Sequence, residues 1–280
     1  ELETLFQSID FVDELTVELV GDSVELEVVG AGVGSPVEYP GPLLDDLGPV
    51  ADNLAFRAAE AYRRGADLRS GVRIRLAKSI PAGAGLGGGS SDAAAVLRAL
   101  SHLTDGAVAN EALLVMGADL GSDVPFFLCD STLALARGRG EELTTLRSLP
   151  SADVVLVCPP VHVATARAYA ALAKHRVSMG LPPRAPLERI PSDWDMVDEI
   201  ADNDFEVLVA NEYPEVRRAL ASLRDAGLTS VMLSGSGGAC FGLATDASHA
   251  SSTARRLREE LGWRVLATRT LDELPPVSPL

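Results

Sequence analysis

Residues 81 to 92 read Pro81-Ala82-Gly83-Ala84-Gly85-Leu86-Gly87-Gly88-Gly89-Ser90-Ser91-Asp92, and this stretch constrains the fold more than any other in the chain. Before it, Val72, Ile74 and Leu76 alternate as in a strand. After it, an alanine-rich run predicts a helix from Ser90 to about Leu103. A glycine-rich turn between strand and helix puts unpaired N–H groups and the positive end of a helix dipole in one place. Glycines let that backbone take positive φ and let oxygens approach the main chain closely. Ser90 and Ser91 add hydroxyl donors. The natural ligand of such a loop is a polyphosphate.

Two familiar phosphate loops do not fit. The GxxxxGK[ST] pattern is absent. Gly83, Gly85 and Gly88 satisfy a bare GxGxxG, but no acidic strand end follows about 20 residues later, as a dinucleotide site needs. A second glycine turn, Ser234-Gly235-Ser236-Gly237-Gly238, follows the apolar run Val231 to Leu233. It is either a tight hairpin turn or a second nest of N–H groups for phosphate. Asp123 precedes Val124-Pro125 in a turn after a helix. The residues alone leave it as a turn or capping aspartate, or as a general base. Asp92 reads first as a cap of the alanine-rich helix, with proximity to a metal as the alternative.

Length and charge set the rest of the frame. A chain of 280 residues suits two domains. Its net charge of -16 disfavours nucleic acid and anionic membranes as partners, while leaving a local nest free to bind an anion. Lys78 and Lys174 are the only lysines. Cys129, Cys158 and Cys240 are widely spaced and odd in number, which points to buried reduced thiols rather than disulfides or zinc. The histidines show no metal spacing; His162 reads as a surface residue at a strand end. The start, Glu1-Leu2-Glu3-Thr4, lacks a basic and an apolar region, so the expected location is the cytoplasm.

Residues 13 to 29 alternate on either side of Gly21-Asp22-Ser23 and predict a β-hairpin. Residues 30 to 50 and 176 to 195 are predicted as irregular connections. Helices are predicted over 53–64, 110–120, 164–174, 203–210, 214–226 and 247–261. Further strands fall at 132–137, 154–157, 231–233, 240–243 and 264–268. This mixture lacks a strict βαβ rhythm, so the fold class is α+β in two domains, 1–150 and 151–280.

At the glycine loop the chain resembles the GHMP kinase superfamily, whose phosphate loop reads Pro-x-x-x-Gly-Leu-Gly-(Gly/Ser)-(Gly/Ser)-Ser. The longer form here, Gly85 to Ala94, is similar to the diphosphocytidyl-methylerythritol kinase branch. Further segments agree in order: Asp13 to Val17, Asp52-Asn53-Leu54, Leu120 to Phe127, Ala136 to Glu141, Asn203 to Glu206 and Leu233 to Gly238. The resemblance implies an N-terminal domain like domain 2 of ribosomal protein S5 and a ferredoxin-like C-terminal domain. It implies ATP and Mg²⁺, with the nucleotide held by Asn53, Pro81, Gly83, Gly85, Leu86, Gly87, Gly88, Gly89, Ser90 and Ser91. It places the catalytic base at Asp123. It places the substrate, a small cytidine-diphosphate sugar alcohol phosphorylated on its 2-hydroxyl, at Thr165, Tyr169, Gly235, Ser236 and Gly237. A monomer or weak homodimer is expected. The branch also carries an earlier strand with Pro-Ala-Lys-x-Asn-Leu and an Asp-Gly-Tyr-His segment. This sequence starts just after them, so a truncated copy with weakened catalysis is expected, and Lys78 is not the counterpart of that lysine. A homoserine- or mevalonate-type kinase and a non-catalytic nucleotide-binding remnant remain as alternatives.

Overall fold

A computed structural model describes residues 3–30, 48–138, 140–180, 187 and 189–278. Its first half holds strands β1 (Thr4–Gln7), β2 (Glu14–Leu19), β3 (Val24–Gly30), β4 (Val72–Lys78), β5 (Leu133–Arg137) and β6 (Glu142–Thr145). Between them lie helices α1 (Leu54–Gly65), α2 (Gly88–Leu103), α3 (Asn110–Leu120) and α4 (Val124–Leu128). The second half holds β7 (Asp153–Cys158), α5 (Thr165–Met179), α6 (Trp194–Ile200), α7 (Glu206–Glu212), α8 (Pro214–Asp225), β8 (Thr229–Leu233), β9 (Cys240–Leu243), α9 (Ala247–Leu261) and β10 (Arg264–Arg269). Sequence reading missed β1, β6, α4 and α6, all of seven residues or fewer. Most of the predicted 30–50 connection, and residues 181–186 and 188 of the later one, lie outside the described residues.

The predicted hairpin over 13–29 is corrected. Strands β2 and β3 do reverse at Gly21, but β4 lies between them. Strand β2 pairs with it antiparallel, Val17 opposite Ile74, and β3 pairs with it parallel, Leu26 opposite Ile74. The turn opens to admit Gly71: Val20 N donates to Gly71 O at 3.0 Å, and Gly71 N donates to Gly21 O at 2.8 Å. The physical reason is burial. Val72, Ile74 and Leu76 are fully buried, and a central strand satisfies both of its edges while β2 and β3 keep polar faces. On the outer face Arg73 pairs with Glu25 at 3.1 Å and Arg75 with Glu27 at 3.6 Å.

Helices α1 and α2 cover the inner face of this sheet. Ala55, Ala58, Ala59, Ala93 and Ala94 are buried at their contact, so the helices approach closely. Leu97 and Leu100 fill the remaining space, each worth about 1.5–3 kcal/mol on burial. Tyr62 is fully buried, and its hydroxyl meets Thr104 Oγ1 at 2.5 Å. A second sheet, β1-β5-β6, carries β1 on its edge.

The second half forms one antiparallel sheet in the order β10-β7-β9-β8. With α8 and α9 as the crossovers this is the β-α-β-β-α-β ferredoxin-like arrangement. Val155, Val157, Val216, Leu223, Leu257 and Val265 form its core. The halves are stitched at Ile9, which bridges Thr270, and at Ala84, whose carbonyl accepts from Ala239 N at 2.9 Å. Among the described residues no helix is long and apolar enough to cross a membrane.

Candidate active site

The glycine loop leaves the buried end of β4 and becomes α2 at Gly88, two residues earlier than predicted. Its N-cap is Gly87, in the left-handed region at φ 68, with no side chain to accept from the first turn. The first bond of the helical ladder is Ser91 N to Gly87 O at 2.9 Å. The amides of Gly88, Gly89 and Ser90 therefore precede the ladder, as a phosphate site requires. Ser91 Oγ turns back to Gly88 O at 2.8 Å. Leu86 packs with Ala84, Leu156 and Ala239 and anchors the loop between the two halves.

Asp92 does not cap the helix. Its carboxylate meets Lys78 Nζ at 2.9 Å, and the same ammonium is paired with Asp13. Asp13 Oδ1 also accepts from Ser79 N, and from Ile80 N at 2.8 Å. All three side chains are at most 5% exposed. Burial pushes the Asp92 carboxyl up to about 7, against the pull of Lys78 and with the repulsion of Asp13.

The second glycine turn lies directly on the first. Ser234 Oγ donates to Gly85 O at 2.8 Å. Gly85 has φ 75, and a Cβ there would fall 2.2 Å from Ser234 O and 2.9 Å from Gly237 O. Gly85→Ala is therefore expected to cost about 2 kcal/mol or more and to weaken nucleotide binding, read by urea unfolding and ATP titration. Asn203 holds the second turn from behind: its Nδ2 donates to Leu233 O and Gly235 O, each at 2.8 Å. Glu206 Oε2 accepts from Leu233 N at 3.0 Å. These contacts give the Asn203-Asp204-Phe205-Glu206 segment a structural role that its sequence did not disclose.

Thr165 opens α5 and accepts a hydrogen bond from Ser236 Oγ at 3.1 Å. Tyr169, one turn on, is 42% exposed and sets its ring edge-on to Phe205, with centroids 4.8 Å apart. His162 is exposed, as predicted, but its ring also lies on the phosphate loop. A Cβ at Gly83 would fall 2.3 Å from His162 Nδ1. Sequence had no signal for that contact across 79 positions.

Asp123 sits at the start of α4 and makes no capping hydrogen bond with its side chain. Its nearest donor is Ser122 Oγ, at 3.4 Å from Oδ1. Burial raises its carboxyl above the ordinary value of 3.8, with Ser122 opposing. The turn before it faces the start of α2: a Cβ at Gly121 would lie 3.9 Å from Ser90 Oγ. Across the cleft, the Tyr169 phenol is raised first by its own burial and then by the Asp123 charge. Gly140, in the turn between β5 and β6, closes another side, its Cβ position 3.5 Å from Asp123 Oδ1. Arg139, beside it, lies outside the described residues.

Asn53 caps α1, accepting from Ala55 N at 2.9 Å, and Leu54 reaches the start of α2 beside Gly89. Thus Asn53, the glycine loop, Asp123, the start of α5 with Thr165 and Tyr169, and the second glycine turn come from five separate stretches of chain and line one region. The three thiols are held protonated by burial, Cys158 up to about 12. No group of three His, Cys, Asp or Glu side chains converges as a metal cage among the described residues.

Two family profiles match the chain: the GHMP kinases N terminal domain over residues 53–131 and the GHMP kinases C terminal domain over 185–262. The 4-diphosphocytidyl-2-C-methyl-D-erythritol kinase of Citrifermentans bemidjiense is 37% identical over 274 residues, covering 97% of this chain and 90% of the relative. The chain belongs to the 4-diphosphocytidyl-2-C-methyl-D-erythritol kinase family. Another member, from Pelotomaculum thermopropionicum, is 38% identical over 279 residues, covering 97% of this chain and 90% of its own length. A crystal structure of 4-(cytidine 5'-diphospho)-2C-methyl-D-erythritol kinase superposes with a TM-score of 0.71 at 36% identity, over 96% of this chain and 89% of that one. Homoserine kinase from Cytophaga hutchinsonii, at 18% identity and a TM-score of 0.66 over 95% and 88% of the two chains, shares the fold. The two-domain GHMP kinase fold of the family is thus the fold of this chain.

Proposed function

We propose that the chain transfers the γ-phosphoryl group of ATP to the 2-hydroxyl of 4-diphosphocytidyl-2-C-methyl-D-erythritol, a step of non-mevalonate isoprenoid biosynthesis. The observation that carries this reading is the placement of Asp123. It is a partly buried carboxylate without a structural capping role, and the turn that holds it faces the open amides of α2. Residues 1–150 would form the nucleotide-binding domain and 151–280 the domain that closes the substrate site.

In this arrangement the amides of Gly88, Gly89 and Ser90 hold phosphate oxygens, with Asn53 at the nucleoside side. Asp123 accepts the proton of the attacking hydroxyl, and charge develops against fixed N–H dipoles rather than mobile water. Gly235, Ser236 and Gly237 close over the phosphates, and the Ser236–Thr165 bond ties that turn to α5. Tyr169 offers its exposed face to the cytosine. The raised Asp123 carboxyl suits a base that must ionise yet remain basic.

Magnesium fits this donor set as an ion carried in mainly on the phosphates. Ser90 Oγ and the Asp123 carboxylate would be the protein oxygens that hold it, and it would neutralise phosphate charge there. The bound ion would screen that charge while these residues orient the nucleotide.

The test is ADP formation by the 280-residue chain with ATP, Mg²⁺ and the diphosphocytidyl substrate. Turnover that requires the cytidine-linked alcohol, and is absent with homoserine or mevalonate, is the expected result. Nucleotide binding without turnover of any of the three would replace this reading with the non-catalytic one. Tyr169→Ala is expected to raise KM for the diphosphocytidyl substrate roughly 5- to 160-fold, the value of about 1–3 kcal/mol for one base stacked on an aromatic ring, with kcat little changed. An unchanged KM would remove Tyr169 from the cytosine site.

A further inference from the structure

The second glycine turn carries an amide that no described group uses. Ser234 to Gly237 form a β-turn, closed by Gly237 N donating to Ser234 O at 2.9 Å, with Gly235–Ser236 as its central peptide. Ser234 N donates to Ala239 O and Ala239 N to Ala84 O, each at 2.9 Å. The amide of Ser236 donates to none of the described residues, although Ser236 is only 8% exposed. Amides of buried residues are almost always paired, so one left open beside a cleft marks a place for an acceptor on a ligand.

Asn203 sets the direction of that amide. Its Nδ2 donates to Leu233 O and Gly235 O, each at 2.8 Å, while its Oδ1 accepts from Phe205 N at 2.9 Å. In a planar trans peptide the C=O and the following N–H point in opposite directions. The Gly235–Ser236 peptide is trans, so holding Gly235 O on Asn203 turns the Ser236 N–H to the opposite face of the turn. Without that hold the peptide would be set by Gly235, at φ 53 and of the least restrained residue type. Accepting from one N–H while donating to two carbonyls needs a side-chain amide: Asp has no donor, and Ser and Thr have one. Capping Phe205 N alone would be served by any of them. Glu206 adds to the hold, its Oε2 accepting from Leu233 N at 3.0 Å and its Oε1 from Arg224 at 2.6 Å. Both polar groups of the Leu233 main chain, at the end of edge strand β8, are thus fixed by one segment. The rest of the turn is tied forward, Ser234 Oγ to Gly85 O and Ser236 Oγ to Thr165.

We infer that Asn203 is a positioning residue of the reaction, which aims the Ser236 N–H at a phosphate oxygen that gains charge during phosphoryl transfer. Asn203 itself touches neither substrate. This rests on reading the second glycine turn as a phosphate contact. A donor fixed in advance costs no reorganisation as charge develops, whereas a peptide free to turn must be oriented in every cycle.

Asn203→Asp tests this. The variant keeps the size of the side chain and the acceptor for Phe205 N, but it sets an anion against the carbonyls of Leu233 and Gly235. Single-turnover phosphoryl transfer, with enzyme in excess over the diphosphocytidyl substrate and saturating ATP and Mg²⁺, is expected to slow by about 10- to 10²-fold, less than the loss of a whole donor. Affinity for the non-hydrolysable ATP analogue AMP-PNP should stay close to wild type. A merely structural role would leave the single-turnover constant unchanged, because misfolded molecules do not enter it while active enzyme remains in excess. A second measurement does not depend on the folding of the variant. In wild type labelled with ¹⁵N-serine, the Ser236 amide proton is expected to move downfield when AMP-PNP, Mg²⁺ and the diphosphocytidyl substrate are bound together. A Ser236 amide that stays in place in that complex, or an unchanged single-turnover constant in Asn203→Asp, overturns the inference alone. A wild type that binds neither ligand overturns the reading of the turn together with it.

Discussion

Asp123→Asn is expected to lower kcat by about 10²–10⁴-fold while leaving ATP affinity within a few-fold of wild type. The variant keeps size and polarity, and the aspartate forms no cap that its loss would break. What it removes is the proton acceptor. The pH profile gives the sign independently. Burial holds this carboxyl above 3.8, and only its ionised form accepts a proton, so the wild-type rate rises as pH climbs through the raised value. The residual rate of the variant should lack that limb. Single-turnover phosphoryl transfer, measured across pH beside nucleotide binding, reads both quantities. A variant with wild-type kcat would remove Asp123 from the chemistry.

The second large effect concerns stability. Lys78→Met leaves Asp13 and Asp92 facing each other without a cation in a closed site. Breaking one side of a buried ion pair in this way typically costs about 3–5 kcal/mol. The loss should depend on pH, with a definite sign. Two apposed buried carboxylates hold a proton more tightly folded than unfolded. The folded state thus binds more protons over the range between the ordinary and the raised value, and stability falls as pH rises through it. Wild type carries a weaker form of the same trend through Asp92, between about 4 and about 7. Urea unfolding at pH 6 and pH 8 should show a larger deficit at pH 8. Lys78→Met combined with Asp92→Asn should recover part of it. A deficit under about 1 kcal/mol at both pH values would show that water reaches the cluster and screens it.

The sequence by itself determined the elements whose cause is local. The run from Val72 to Leu76 alternates because one face is buried, and it folds as β4. The glycine stretch before an alanine-rich helix becomes an uncapped helix start because glycine alone reaches φ 68 without strain at Gly87. Asn53 caps α1 because a side-chain amide supplies what the first turn lacks. The same alternation that buries Val72, Ile74 and Leu76 puts Lys78 on the buried face, a clue legible from parity, although its partners were not. The short elements α4 and β6 carry too few residues for a period to show.

Only the tertiary structure decided which distant pieces meet. The 13–29 segment has the local marks of a hairpin, yet β4 enters between its arms, because the burial of a central strand outweighs the turn. Asp92 has the position of a cap, yet it serves Lys78, because a buried ammonium must be paired. The second glycine turn closes on Gly85, and Asn203 braces it, through hydrogen bonds that join residues far apart in the chain. Periodicity and capping act within a few residues, so they can be read along the sequence. Charge pairing and close backbone approach act through space, and they become readable only when the fold has brought Asp13, Lys78 and Asp92 to one point.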